Sequence, residues 1–117
     1  METLRAVAEF PYIAPENYEL FKEKALLLLH SVENQDSILR YDLFFDSENS
    51  KCVILEEYAS ADAVIEHVRV NAALLEELSS LGGKINGSMF PSNQNGNAIS
   101  VIRENWDSKM HFHFAGK

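Results

Sequence analysis

The sequence predicts an α+β domain built as a split β-α-β unit, with an antiparallel sheet whose helices lie on one side. Three observations carry that expectation. Short apolar or alternating runs suited to strands recur at residues 3–12, 37–46, 51–58 and 84–91. Longer stretches with apolar residues at helical spacing lie between the first and second runs, and again between the third and fourth. Only a short polar turn separates the second run from the third, which makes them a hairpin.

In the first strand Leu4, Ala6, Ala8 and Phe10 share a face, and Pro11 makes its end an edge or a bend. Pro15 suits a first helical position, with Glu16 and Glu19 near the positive end of the helix dipole. Tyr18, Phe21, Ala25, Leu28, Leu29 and Val32 recur as the buried stripe. Leu26 and Leu27 widen it, so the second half of this helix is expected to be covered on more than one side.

In the second strand Leu39, Tyr41, Leu43 and Phe45 alternate with Ile38, Arg40, Asp42 and Phe44. A hairpin symmetric about Glu48 and Asn49 sets Tyr41 opposite Glu56 and Arg40 opposite Glu57. The second pairing predicts a cross-strand ion pair; the first puts a phenol beside a carboxylate on the more apolar face. Ser60 is a plausible N-cap for the next helix, with Asp62 in its first turn. Val64, His67, Val68, Asn71 and Leu75 form the stripe that faces the sheet, with a kink expected near Asn71, and Gly82 and Gly83 end the helix. Pro91 stops the fourth strand.

Beyond Ser92, a loop rich in Asn and Gly leads to a short helix capped by Asn97, with Ala98, Val101, Ile102, Asn105 and Trp106 inward. A last strand follows over residues 109–114. The order of elements is ferredoxin-like: one domain, with its core at 3–91 and a helix-strand extension over 92–117. An open sheet with helices on one face leaves Phe44, Val53 and Leu55 uncovered, and a second copy of the chain is the simplest cover.

At 117 residues the chain is long enough for a real core without disulfides or metal. Its formal charge of −8 argues against nucleic acid and against an anionic membrane surface. No apolar run approaches the ~20 residues needed to span a bilayer. The single cysteine, Cys52, cannot form an internal disulfide and reads as a small core hydrophobe, which suits a reducing cytoplasm. His111 and His113 share one face of a strand without a third ligand in sequence, so no metal is expected.

The stretch 51–67 organises the rest: Val53, Ile54 and Leu55 lead into Glu56, Tyr58, Ser60, Ala63 and His67, with Arg40 and Tyr41 on the strand before. This pattern resembles the antibiotic biosynthesis monooxygenase family of the dimeric α/β-barrel superfamily. The coarse resemblance covers about residues 3–91, and its specific motif 40–67. It implies a homodimer and, as in some members, cofactor-independent oxygenation of quinols, anthrones or related aromatics. Other members isomerise a small phosphorylated diketone or degrade haem. The haem-degrading branch carries an asparagine in its first strand and a tryptophan near the position of His67; here that strand has no asparagine and Trp106 is the only tryptophan. The second histidine that many members carry after the first is also absent from residues 68–75.

Such an oxygenase must deprotonate a small-molecule phenol or activated carbon, then expose the electron-rich anion to oxygen. That requires a base in an apolar pocket and donors for the developing oxyanion, and no metal or organic cofactor. His67 is the expected base, with a pKa near neutrality, and Glu56 is expected to face it and orient it or share its proton. Tyr41 or Tyr58 would donate to the substrate oxygen, and Asn71, one turn beyond His67, would point at the same space. The same set serves an enolising isomerase of a hydroxydiketone. Glu56 and His67 also fit a structural pair in a non-catalytic dimeric binding or stress-related module, which would leave no cavity between helices and sheet.

Overall fold

The computed structural model describes residues 3–92, 96–105 and 108–117. Strand β1 (Leu4–Phe10) and a 3-10 turn (Pro15–Asn17) precede helix α1 (Tyr18–Glu33). The hairpin β2 (Ile38–Phe45) and β3 (Cys52–Tyr58) comes next, then helices α2 (Ala61–Val70) and α3 (Ala72–Gly82). Strand β4 (Asn86–Phe90), helix α4 (Asn97–Asn105) and strand β5 (Lys109–Met110) complete the chain. The sheet order is β2-β3-β1-β4-β5. The first four strands are mutually antiparallel, as the ferredoxin-like order requires, and β5 joins parallel to β4.

The hairpin register follows from its turn. Asp46 accepts hydrogen bonds from the backbone N–H groups of Ser50 (2.7 Å) and Lys51 (3.2 Å) and from the Ser50 hydroxyl (2.8 Å), while Asn49 takes the left-handed conformation at φ 57°. Tyr41 therefore lies opposite Glu56 and Arg40 opposite Glu57. The Arg40–Glu57 ion pair does not form. Arg40 bonds Asp42 on its own strand at 2.8 Å, and Glu57 takes Thr3 (3.0 Å), just before β1, and Arg5 (3.5 Å) on it. A β-bulge also breaks the alternation of β2: Tyr58 pairs with Ile38 and Glu57 with Arg40, so Leu39 is the extra residue. Ile38 packs inward and Leu39 is exposed, the reverse of what strict alternation predicts.

Ser60 caps α2 by accepting from the Ala63 N–H at 3.3 Å. The expected kink is a full break: α2 ends at Val70 and α3 starts at Ala72, with Asn71 between them at φ −107°, ψ 17°. Gly83, at φ 87°, ends α3 in a conformation that side-chain-bearing residues avoid. Along α1 the stripe Phe21, Ala25, Leu28 and Val32 is buried, but Leu26 and Leu27 are exposed, so within one chain the helix is covered on one side only.

Two apolar clusters lie between sheet and helices. One gathers Phe10, Phe21, Leu28, Ile54 and Leu78; the other gathers Leu4, Tyr58, Val64, Met89 and Ile102. The second draws Ile99 and Ile102 from α4, so the C-terminal extension is part of the core. Ile99 buries more deeply than Ala98 or Val101, about a quarter-turn from the expected inward face, and Ile102 stays on it; Trp106 lies outside the described residues. The last strand is shorter than expected, although backbone bonds from His111 to Met89 (2.8 Å) and His113 to Pro91 (3.2 Å) carry its path along β4.

Candidate active-site cavity

Ala6 and Ala8 on β1 and Gly87 on β4 lie on the floor between the two clusters, where small residues leave the sheet short of side chain. The result is a cavity of about 490 Å³ under α2 and α3. Apolar walls come from Ile54, Val64, Val68, Leu75, Ile85 and Met89. Its ionisable groups fall into two sets. Tyr41, Glu56, Tyr58 and His67 are buried, whereas Glu76 and Lys84 are exposed and mark where the cavity reaches the surface.

Each buried group is placed by a feature of its element. Tyr41 and Glu56 are register partners on adjacent strands, and Glu56 and Tyr58 lie two residues apart on one strand and so share a face. The Tyr58 hydroxyl donates a short hydrogen bond to Glu56 Oε1. His67 sits on the inward stripe of α2, 3% exposed, and its Nε2 lies 3.1 Å from the Tyr41 hydroxyl oxygen. On the other edge of the ring, Asn71 Nδ2 is 3.1 Å from both the His67 main-chain oxygen and the His67 Nδ1.

That network assigns the histidine tautomer. An amide nitrogen can only donate, and the main-chain oxygen it also meets can only accept, so Nδ1 is an acceptor. The proton of the neutral ring is then on Nε2, which donates to Tyr41. Tyr41 keeps its own hydroxyl proton for another acceptor.

Burial moves the charges of the set in one direction, toward neutrality. It pushes the Glu56 carboxyl up to about 7, against the opposing pull of the Tyr58 hydrogen bond. It lowers His67 to about 4, so the ring is neutral at pH 7, not poised near it as the sequence suggested. Burial, and then the Glu56 charge, lift both phenols well above their usual range. Among these groups the one that titrates where a general base is useful is Glu56.

The structure thus brings four of the five expected residues to one cavity and corrects their pairing. Glu56 bonds Tyr58 and His67 bonds Tyr41, so the direct acid–histidine contact is not made. Asn71 is 3% exposed, does not line the cavity and acts on His67 from behind. Lys84, Ser88 and Ser108 also line the cavity, and no sequence spacing linked them to Glu56. Arg40 and Arg69 are absent from its lining and bond Asp42 and Glu66. His111 stacks on Phe90 with centroids 5.2 Å apart, and the described residues contain no group of three metal-ligating side chains. Among them, too, no helix is long and apolar enough to cross a membrane.

Comparison with solved structures places the fold. MupZ from Pseudomonas fluorescens superposes with a TM-score of 0.86 at 14% identity, over 100% of this chain and 94% of that one. A conserved protein from Methanosarcina mazei Go1 gives 0.71 at 18% identity, over 80% and 95%. A mutant of SnoaB, a cofactor-independent oxygenase from Streptomyces nogalater, gives 0.67 at 13% identity, over 83% and 99%. No curated protein sequence matches the chain. The sequence profile of the antibiotic biosynthesis monooxygenase family matches residues 3–74, more than half of the chain, and the protein belongs to that family.

Proposed function

We propose that the protein is a monooxygenase that acts without metal or organic cofactor on a compact phenol, quinol or anthrone held in this cavity. One observation carries the reading: a carboxyl titrating near 7 faces an apolar cavity with a tyrosine hydroxyl beside it. The Glu56 carboxylate takes the proton from the substrate's phenol or activated methylene. Tyr41, held by the His67 Nε2–H, donates its hydroxyl proton to the developing oxyanion. The ring carbon of the anion then passes its electrons to molecular oxygen and forms a carbon–oxygen bond. The peroxide takes up the proton held by Glu56, and loss of water leaves a carbonyl. One oxygen atom enters the product and the other leaves as water. In this scheme the base is Glu56, and His67 is a positioning residue.

The reading extends to a homodimer joined across the outer face of the sheet, where Phe44 is 51% and Leu55 39% exposed. A non-catalytic module would have its helix-sheet gap filled, which the cavity does not fit. Oxygen uptake with a panel of hydroquinones and anthrones tests the reaction. Uptake of one O2 per product is expected, with Glu56→Gln lowering kcat on the order of 10²-fold or more and His67→Ala by less. No uptake by the folded protein with any substrate, or turnover of a hydroxydiketone without uptake, would overturn it.

A further inference from the structure

We infer that Ala8 sets the upper size of the molecule the cavity admits, and that the Gly87–Ser108 contact beside it builds the facing wall. The inference rests on the reading of this cavity as the substrate site. Ala8 pairs with Gly87 on one side and Ile54 on the other, and all three line the cavity. The floor is low there because one partner has a single methyl and the other has no side chain.

Gly87 serves a second purpose. A Cβ placed on it would sit 3.0 Å from the Ser108 hydroxyl oxygen and 3.7 Å from the Ser108 Cβ. The lack of a side chain at 87 therefore lets the C-terminal extension close against β4 and bring Ser108 into the lining. A side chain at 87 would meet Ser108 on that segment, whereas a larger residue at 8, on the cavity floor, would take up cavity room. Position 8 thus controls volume without moving a wall.

The volume states what is admitted. An apolar protein cavity of about 150 Å³ holds one benzene ring. At about 490 Å³ this cavity has room for roughly three such rings. The site is therefore matched to a fused molecule of up to three rings, with its ionisable oxygen toward Glu56 and Tyr41. Leucine at position 8 adds three carbons and takes away roughly half a ring of that room.

Binding measured under nitrogen separates this inference from the chemistry. Titration calorimetry would follow 1,8-dihydroxyanthrone, with three rings, and 1-naphthol, with two, on wild type, Ala8→Val and Ala8→Leu. Wild type is expected to bind both. Ala8→Leu should lose at least tenfold in affinity for the anthrone and stay within about threefold for the naphthol, with Ala8→Val between. Because the new side chain fills a void, the thermal midpoint should hold or rise. Anthrone affinity unchanged in both variants, equal loss of both ligands with the midpoint intact, or no binding of either ligand by wild type would overturn the inference. If Ala8→Leu does not fold, Ala8→Val carries the comparison alone. Wild type that binds the anthrone yet consumes no oxygen in air would overturn the oxygenase reading and leave the size limit standing.

Discussion

Glu56 and His67 answer the same burial in opposite ways, because burial favours whichever form of a group is neutral. In the unfolded chain Glu56 releases its proton near 4.5, but in the fold only near 7. Between those values the fold binds the extra proton, so this contribution to stability weakens as pH rises through that window. His67 gains its proton near 6.5 when unfolded and near 4 when folded, so its contribution is lost as pH falls from 6.5 to 4. From 4.5 to 6.5 the two slopes cancel. Urea unfolding across that range should show a plateau with shoulders on both sides. Glu56→Gln should remove the decline above about 6.5, and His67→Gln the decline below about 4.5, each about 0.7 kcal/mol over its half pH unit. A Glu56→Gln protein that still loses stability on the alkaline side as wild type does would exclude this carboxyl as the cause. At this scale the sequence supplied the four buried polar groups that line the cavity, because a tight turn fixes register and register set Tyr41 beside Glu56. It could not supply the bonds. Which phenol reaches the imidazole depends on how α2 lies over the sheet, and the pKa values depend on burial that no spacing encodes.

The elements were largely legible, with failures where a local rule is broken by a neighbour. Gly83 and Asn71 announced the end of α3 and the break before it. The bulge at Leu39 left no mark, since an apolar residue on a β-branched and aromatic strand reads the same on either face. Helix α4 carries a sharper lesson. It lies beyond residue 74, where the family match ends, yet Ile102 is 0% exposed and packs with Leu4, Tyr58 and Val64. Ile102→Ala should therefore cost about 2–5 kcal/mol, as in any well-packed core. Urea denaturation reads this directly, and a loss below ~1 kcal/mol would show α4 to be a detachable appendage.

For the molecule as a whole, sheet order followed from the sequence of strands and helices, because antiparallel neighbours and a split crossover leave few alternatives. The association of chains did not follow, since a single chain shows only which faces are left open. The outer sheet face carries Phe44, Leu55 and Phe90 in exposed positions. Light scattering at low micromolar concentration should give the mass of a dimer, and Phe44→Glu, which puts a charge at that face, should give a monomer. A monomeric wild type would remove the reason for reading that face as an interface.

The central place of β1 has a consequence for how the chain is made. Its partners are late: Phe10 pairs with Cys52, and Arg5 with Phe90. During synthesis β1 leaves the ribosome before either neighbour exists, while β2 and β3 can zip together as soon as their turn has emerged. The strand made first is thus the one that must wait, and its alternating Leu4, Ala6, Ala8 and Phe10 stay open to wrong partners until β4 is out. Small alanines at two of those four inward positions leave the cavity room in the finished protein. They also make the waiting strand less adhesive than a run of leucine or valine would be.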